Sequence, residues 1–348
     1  MRLNILKSSR GSIFFLSMWT LVFLSILALI SGTATRQQIL LLEKIEERNK
    51  LYNIAEAGIF KTIDFVMSYG ISEVNSYSDP WIDSEEDFKD IKFMDGQYNI
   101  EYDFLENIWN RKDKKYGVID ENRKININKA VSPILVNLFS IIGGLDIENA
   151  NKLANAVIDW RDDDDNLYGY KEEISESLDY INDRYAYTPK NEEFVTLEEV
   201  LLVKGMDIST YLKVRDYITV YSEGQININT ASREVLLTVG LDNDLVDKIV
   251  EYRSGANRVE GDLDDNVFTD SANIAQDLCK HYDLSEEEQE AIIMLASGGI
   301  IDVYSDSFMA LCTSSLANSR LYGKIICVFS RTGNIKYWST KFSAGKDT

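Results

Sequence analysis

The sequence predicts an α+β fold: a long N-terminal membrane-spanning helix and an antiparallel sheet, interrupted by a large inserted all-α domain. Three observations predict it. An apolar run from Ile13 to Ile30 follows Lys7 and Arg10, and strand-like alternation occupies Gln97–Phe104 and the stretch after Gly298. Between these lies an internal repeat, in which Ile125-Asn126-Ile127-Asn128-Lys129-Ala130 returns as Ile226-Asn227-Ile228-Asn229-Thr230-Ala231.

Only Ser17, Thr20 and Ser25 interrupt the apolar run. As a helix rising ~1.5 Å per residue it covers roughly 27 Å, close to the ~30 Å hydrocarbon core. Residues 12–32 are therefore expected to span a membrane, with the basic flank cytoplasmic and the rest of the chain outside. A cleavable secretory signal is the rival reading, with Gly32-Thr33-Ala34 as its cutting site and Thr35 as the new N-terminus. From Thr33 the helix continues, since Ile39, Leu42, Ile45, Leu51, Ile54, Ile59, Ile63 and Val66 recur at three- and four-residue steps and no proline precedes Pro80. Tyr69-Gly70 marks its expected end.

Composition limits the chemistry. The chain has 348 residues and a formal charge of −21, which repels a phosphate backbone and makes nucleic acid an unfavourable partner. Its single histidine, His281, excludes catalysis by paired histidines and a zinc site of several imidazoles. No nucleophile–base pair is recognisable, so an enzyme is not expected.

Residues 71–95 read as an acidic surface loop broken at Asp79-Pro80, and Tyr116–Ile119 as a second strand. The inserted domain occupies 124–297, with modules at 124–223 and 224–297, following a first unit at 33–123. Each module has a helix, a glycine hairpin, and a second helix ending in Trp160-Arg161 or Tyr252-Arg253. A third hairpin follows Leu197–Val203. Such helix–hairpin–helix units usually hold DNA phosphates on a glycine-apolar-glycine turn. Here Gly144-Leu145-Asp146, Gly205-Met206-Asp207 and Gly240-Leu241-Asp242 place a carboxylate at the second glycine position, where it caps the next helix and repels phosphate. DNA uptake is the alternative function these units suggest.

The first module carries an acidic insertion, Asp159-Trp160-Arg161-Asp162-Asp163-Asp164-Asp165, followed by Glu172, Glu173, Glu176, Asn191 and Glu199. A carboxylate run on a short loop repels itself unless it is solvated or bridges a hard cation, and Ca²⁺ takes about six to eight oxygen ligands. The spacing is not that of an EF-hand, because Tyr170 stands where the bidentate Glu would be. A second acidic loop, Glu260–Asn266, is a candidate for another ion. After Gly298, Ile300–Tyr304, Phe308–Cys312, Lys324–Phe329 and Ile335–Trp338 read as four strands completing the sheet, in a last unit at 298–348. If the middle two form a hairpin around Ser319-Arg320, Cys312 and Cys327 lie opposite one another and within disulfide reach.

The basic start with Gly11 before an apolar helix resembles the leader of pilins and pseudopilins. The Asn126/Asn128 and Asn227/Asn229 modules, with Asp159-Trp160 and Val203-Lys204-Gly205, resemble protein K of the type II secretion pathway. That resemblance implies a pilin helix and sheet with two inserted helix–hairpin–helix-like (SAM-like) modules. It also implies a leader at 1–11 that a prepilin peptidase cuts after Gly11, with methylation of Ser12. In the family's helical domain calcium is bound, and by position the implied ligands are Asp159, Asp162, Asp164, Glu176 and Asn191, with Glu199 behind them. Glu172 or Glu173 stands as a substitute for Glu176. Most pilins carry Glu at the fifth mature residue, where this chain has Leu16, as suits a subunit at the fibre tip with no neighbour above. The implied function is a minor pseudopilin of the inner membrane. Its bulk lies in the periplasm, its partners are other minor pseudopilins, and it caps and starts the pseudopilus.

Overall fold

The computed structural model describes residues 10–69, 74–105, 112–164, 166–169, 175, 187–262 and 264–345. Helix α1, Arg10–Tyr69, is continuous and ends at the expected Tyr69. Its two halves have opposite fates. Ile13 through Ile30 project with nothing packed on them, and Ile39, Leu42 and Ile45 stay exposed although they continue the periodic stripe. From Leu51 the stripe finds a partner, and Leu51, Ile54, Ala55, Ile59, Ile63 and Val66 are buried.

That partner is an antiparallel sheet. A short helix α2, Glu85–Phe88, precedes β1, Ile91–Phe93, and β2, Gly96–Leu105. Then come β3, Lys112–Tyr116, and β4, Ile119–Asp120. The insertion intervenes before the remaining strands of this sheet. The described strands run β1-β2, then Ser307–Leu316, Leu321–Ser330 and Ile335–Ala344, with β3 paired to β2 and β4 to the Ser307–Leu316 strand. Phe308, Ala310, Cys312, Ile325, Cys327 and Phe329 are buried in one core with α1. Gly58 allows this close approach, since a Cβ there would lie 2.8 Å from Cys312 Sγ and 2.8 Å from the Tyr98 ring.

Inside the insertion, β5, Ile125–Asn126, pairs in parallel with β6, Ile218–Thr219, while β7, Ile226–Asn227, pairs in parallel with β8, Ile301–Asp302. Helices α3, Ser132–Asn137, and α4, Ile147–Arg161, fill the first module. The strands of the outer sheet after the insertion are β9, Ser307–Leu316, β10, Leu321–Ser330, and β11, Ile335–Ala344. The repeat in sequence is a repeat in bonding. Asn128 exchanges two hydrogen bonds with the backbone of Phe194, at 2.9 and 2.8 Å, and Asn229 exchanges two with Phe268, both 2.9 Å. Trp160 stacks on Phe194 as Tyr252 stacks on Phe268. Arg161 donates to the carbonyls of Ile127 and Ala130, and Arg253 donates to those of Ile228 and Ala231.

Three sequence expectations are corrected. The 71–95 stretch is not a surface loop throughout: Asn75, Ser76, Tyr77, Trp81 and Ile82 are buried where the two units meet. Only three of the four expected late strands join the outer sheet, because Ile301–Asp302 pairs with Ile226–Asn227 and closes the second module. Cys312 sits opposite Ile325 and Cys327 opposite Ala310. The two cysteines are thus diagonal rather than facing, beyond normal disulfide reach, and both are free and buried. Burial pushes the Cys327 thiol up to about 12.

At the junction of the two units lies Asp120, fully buried at the end of β4. Its carboxylate accepts hydrogen bonds from Ser305 Oγ at 2.7 Å, Thr230 Oγ1 at 2.6 Å, Asn227 Nδ2 at 3.1 Å and the Asn122 N–H at 2.8 Å. Tyr77 Oη donates to the Thr230 carbonyl at 2.5 Å, and Asn227 also donates to the Asn75 carbonyl at 3.0 Å.

Gly58→Ala is expected to destabilise the outer unit by about 1–3 kcal/mol, because the new methyl overpacks a full interface; thermal melting of the full chain in detergent checks this. Asp120 yields a pH prediction. Burial raises its pKa to about 6 from 3.8 despite its four hydrogen bonds. The folded state therefore holds this proton more tightly than the unfolded chain, and stability from this group falls as pH rises from 3.8 through about 6. Wild type should lose roughly 2–3 kcal/mol relative to Asp120→Asn across that window, in paired denaturant titrations.

Candidate metal centre

The acidic loop of the first module begins where α4 ends. Asp146 caps the start of α4 by accepting the Asn149 N–H at 3.0 Å, and the Trp160 and Arg161 contacts described above pin its end. Asp162 is its C-cap, in extended conformation. Asp159, buried in the last turn, accepts the Tyr168 N–H at 2.6 Å and so folds the loop back over the helix end. Asp164 Oδ1 accepts the Asn166 N–H at 2.8 Å. Asn191 has positive φ, 52°, and donates its amide to the Asp164 carbonyl.

Asp164 and Asn191, 27 residues apart, are thus brought together, with Asp162 two positions before Asp164. Two of their oxygens, Asp162 Oδ1 and Asn191 Oδ1, are buried and receive no hydrogen bond. Unpaired buried acceptors are costly, and both belong to residues beside Asp164. Burial, and then the neighbouring Asp164 charge, push the Asp162 carboxyl above its usual range. A carboxylate, an amide oxygen and a main-chain carbonyl form the donor set of a hard cation such as Ca²⁺.

The other expected ligands fall differently. Glu199 is engaged elsewhere: it forms a capping box with Thr196 and an ion pair with Lys190 at 2.9 Å. Glu176, with its possible substitutes Glu172 and Glu173, lies outside the described residues. Among the described residues no three Asp, Glu, His or Cys side chains converge as a metal cluster. Lys190 and the Trp160–Phe194 stack were not anticipated, although the repeat of Asn128 and Asn229 pointed to shared partners downstream.

In the second acidic loop the carboxylates are turned inward on their own backbone. Asp264 Oδ2 accepts the N–H groups of Ala256 at 2.9 Å and Asn257 at 3.1 Å, and Asp265 accepts that of Gly261 at 2.6 Å. Glu260 pairs with the buried Arg253 at 2.5 Å. Burial raises the Asp265 carboxyl to about 6.

The three hairpins behave as their sequence implies. Asp146, Asp207 and Asp242 each cap the following helix, at 3.0, 2.9 and 2.9 Å, after Gly144, Gly205 and Gly240 with positive φ. Those bonds lower the carboxyls of Asp146 and Asp207. Each helix start that would hold a phosphate already holds an anion.

Residues 121–223, the segment that starts beside Asp120 and spans the first module, match the family model for type II secretion system protein K. Over that segment the chain is similar to type II secretion system protein K. The fold is similar to a chain of the crystal structure of the GspK-GspI-GspJ complex from the enterotoxigenic Escherichia coli type 2 secretion system. The two share 14% identity with a TM-score of 0.58, over 88% of this chain and 99% of that one, a likeness of fold. No curated protein matches the sequence. In this chain, α1 is long and apolar enough to cross a membrane.

Proposed function

We propose that the protein is a non-enzymatic minor pseudopilin, anchored in the inner membrane by α1, that caps the tip of a periplasmic pseudopilus and helps to start its assembly with other minor pseudopilins. The position of the inserted domain carries this reading. Ser314, near the end of β9, donates to the Leu51 carbonyl, whereas the turn between β10 and β11 lies against Ile63 and Met67. The insertion leaves at Asp120 and returns at Ser307, the end of the sheet near the C-terminus of α1 and away from its apolar half. A bulky unit at that end obstructs the stacking of a further subunit, as a cap requires. Leu16 supports the same position, since a subunit with no neighbour above gains nothing from a buried carboxylate. The similar crystal structure, in which GspK stands in complex with GspI and GspJ, supports minor pseudopilins as partners.

Calcium is part of the proposal. Asp162, Asp164 and Asn191 would hold it, neutralising the crowded carboxylates and covering the two unpartnered oxygens. Asp159 then serves as a positioning residue through Tyr168, and Glu176 is the expected further ligand.

Calcium should raise the melting temperature of the full chain, by a stabilisation of roughly 2.7 kcal/mol at a hundredfold excess over Kd. Magnesium should do less, because it prefers a smaller octahedral shell. Asp162→Ala and Asn191→Ala should each remove most of the rise, and an unchanged melting temperature on chelation and re-addition refutes the metal. Prepilin processing should leave a methylated Ser12 in N-terminal mass spectrometry of protein from its host, whereas Thr35 there would refute the anchor. Deleting the protein should impair export of secreted proteins across the outer membrane; unchanged export would refute the secretion role.

A further inference from the structure

The second module has a groove that the secretion reading does not use. It lies between the Ile274–Cys279 helix, continued from Ser271–Asn273, and the Glu286–Ser297 helix. Ala272, Ala275, Ile292, Ile293 and Ala296 line a cavity of about 180 Å³, room for one large aliphatic side chain. Ile293 remains 54% exposed at its mouth, and Met294 beside it 72%.

The surroundings are acidic far beyond the chain's average. Residues 260–302 carry twelve Asp and Glu side chains against one lysine, Lys280. Some of these are satisfied internally: Glu288 pairs with Lys248, Asp277 with Lys280 and Glu260 with Arg253. Glu286 and Glu290 are exposed and make no ion pair among the described residues. They stand seven and three positions before Ile293, so helical spacing puts them on its face. Asp270 borders the opposite wall and accepts only from Ala272 and Asn273 beside it.

We propose that this groove docks a basic polypeptide segment that inserts one aliphatic side chain beside Ile293 and sets lysines or arginines against Glu286, Glu290 and Asp270. The apolar floor supplies the anchor and the unneutralised rim selects the charge, the arrangement by which an amphipathic segment is read in a groove. Another copy of this chain is disfavoured, since its own net charge of −21 would face the same rim. The inference stands apart from the tip and calcium readings.

The full chain in nanodiscs of neutral lipid would be titrated with a short fluorescein-labelled peptide carrying a central leucine flanked by lysines, followed by anisotropy. Binding is expected to weaken about tenfold or more for a leucine-to-serine peptide, and similarly for Ile293→Ser, since an aliphatic anchor contributes roughly 1.5–3 kcal/mol. Glu286→Gln combined with Glu290→Gln should weaken it and flatten its salt dependence. Ile208→Ser, at an exposed apolar site of the first module, should change nothing. The proposal is overturned by no binding, by equal binding of the serine peptide, or by binding that survives Ile293→Ser. It is equally overturned if Ile293→Ser instead dissociates a dimer of the chain, which would make a second copy the occupant.

Discussion

The buried carboxylate of Asp120 is the interaction on which the assembly of this chain depends. It gathers donors from Asn122, Asn227, Thr230 and Ser305, residues separated by up to 185 positions. Without it, the Asn122 N–H would lose its acceptor and Asn227, Thr230 and Ser305 would each lose one, at a buried seam. The same junction holds Tyr77 against Thr230, and sets the cations of Arg123 and Arg253 over the Tyr77 ring. Desolvation of Asp120 is the cost of this arrangement, visible in its raised pKa.

Charge is managed by one device at several scales. Where an aspartate starts a helix, as at Asp146, Asp207 and Asp242, it is paired with main-chain N–H groups and closes a site that relatives of this hairpin use for phosphate. In the second acidic loop the carboxylates again find N–H donors within their own turn. The match is incomplete in both loops: Asp162 and Asn191 keep buried oxygens that nothing donates to, and so does Asp265 through its Oδ1. What marks the first as the metal candidate is that its unpartnered oxygens come from two separate segments, with Asn191 held against the Asp164 carbonyl.

The separation of apolar surface along α1 connects fold to role. One stretch is clothed by the sheet from Leu51 onward, and one is bare from Ile13 to Ile30, as a helix in lipid must be. With the segment similar to protein K placed at the opposite end of the sheet, the molecule has a bare apolar end and a bulky end.

Periodicity and local chemistry determined much of this protein by sequence alone. The apolar run, the heptad-like spacing to Val66, the alternation of β2, β9, β10 and β11, the Asn-rich repeat and the three aspartate caps each depend on neighbours within a few positions, so the chain itself displays them. Tertiary structure decided what depends on distant partners. Register put Cys312 opposite Ile325 instead of Cys327. The two-residue strand at Ile301–Asp302 is too short for alternation to name its sheet, and pairing with Ile226–Asn227 assigned it to the second module. Asn75 to Ile82 looked like solvated loop because polar residues suit both water and buried hydrogen-bond networks, and only the donors around Asp120 distinguish the two. In the same way composition offers both Asn191 and, behind it, Glu199 as ligands, but Lys190 and the Thr196 cap claim Glu199, while a left-handed backbone and the Asp164 carbonyl hold Asn191 beside the acidic loop.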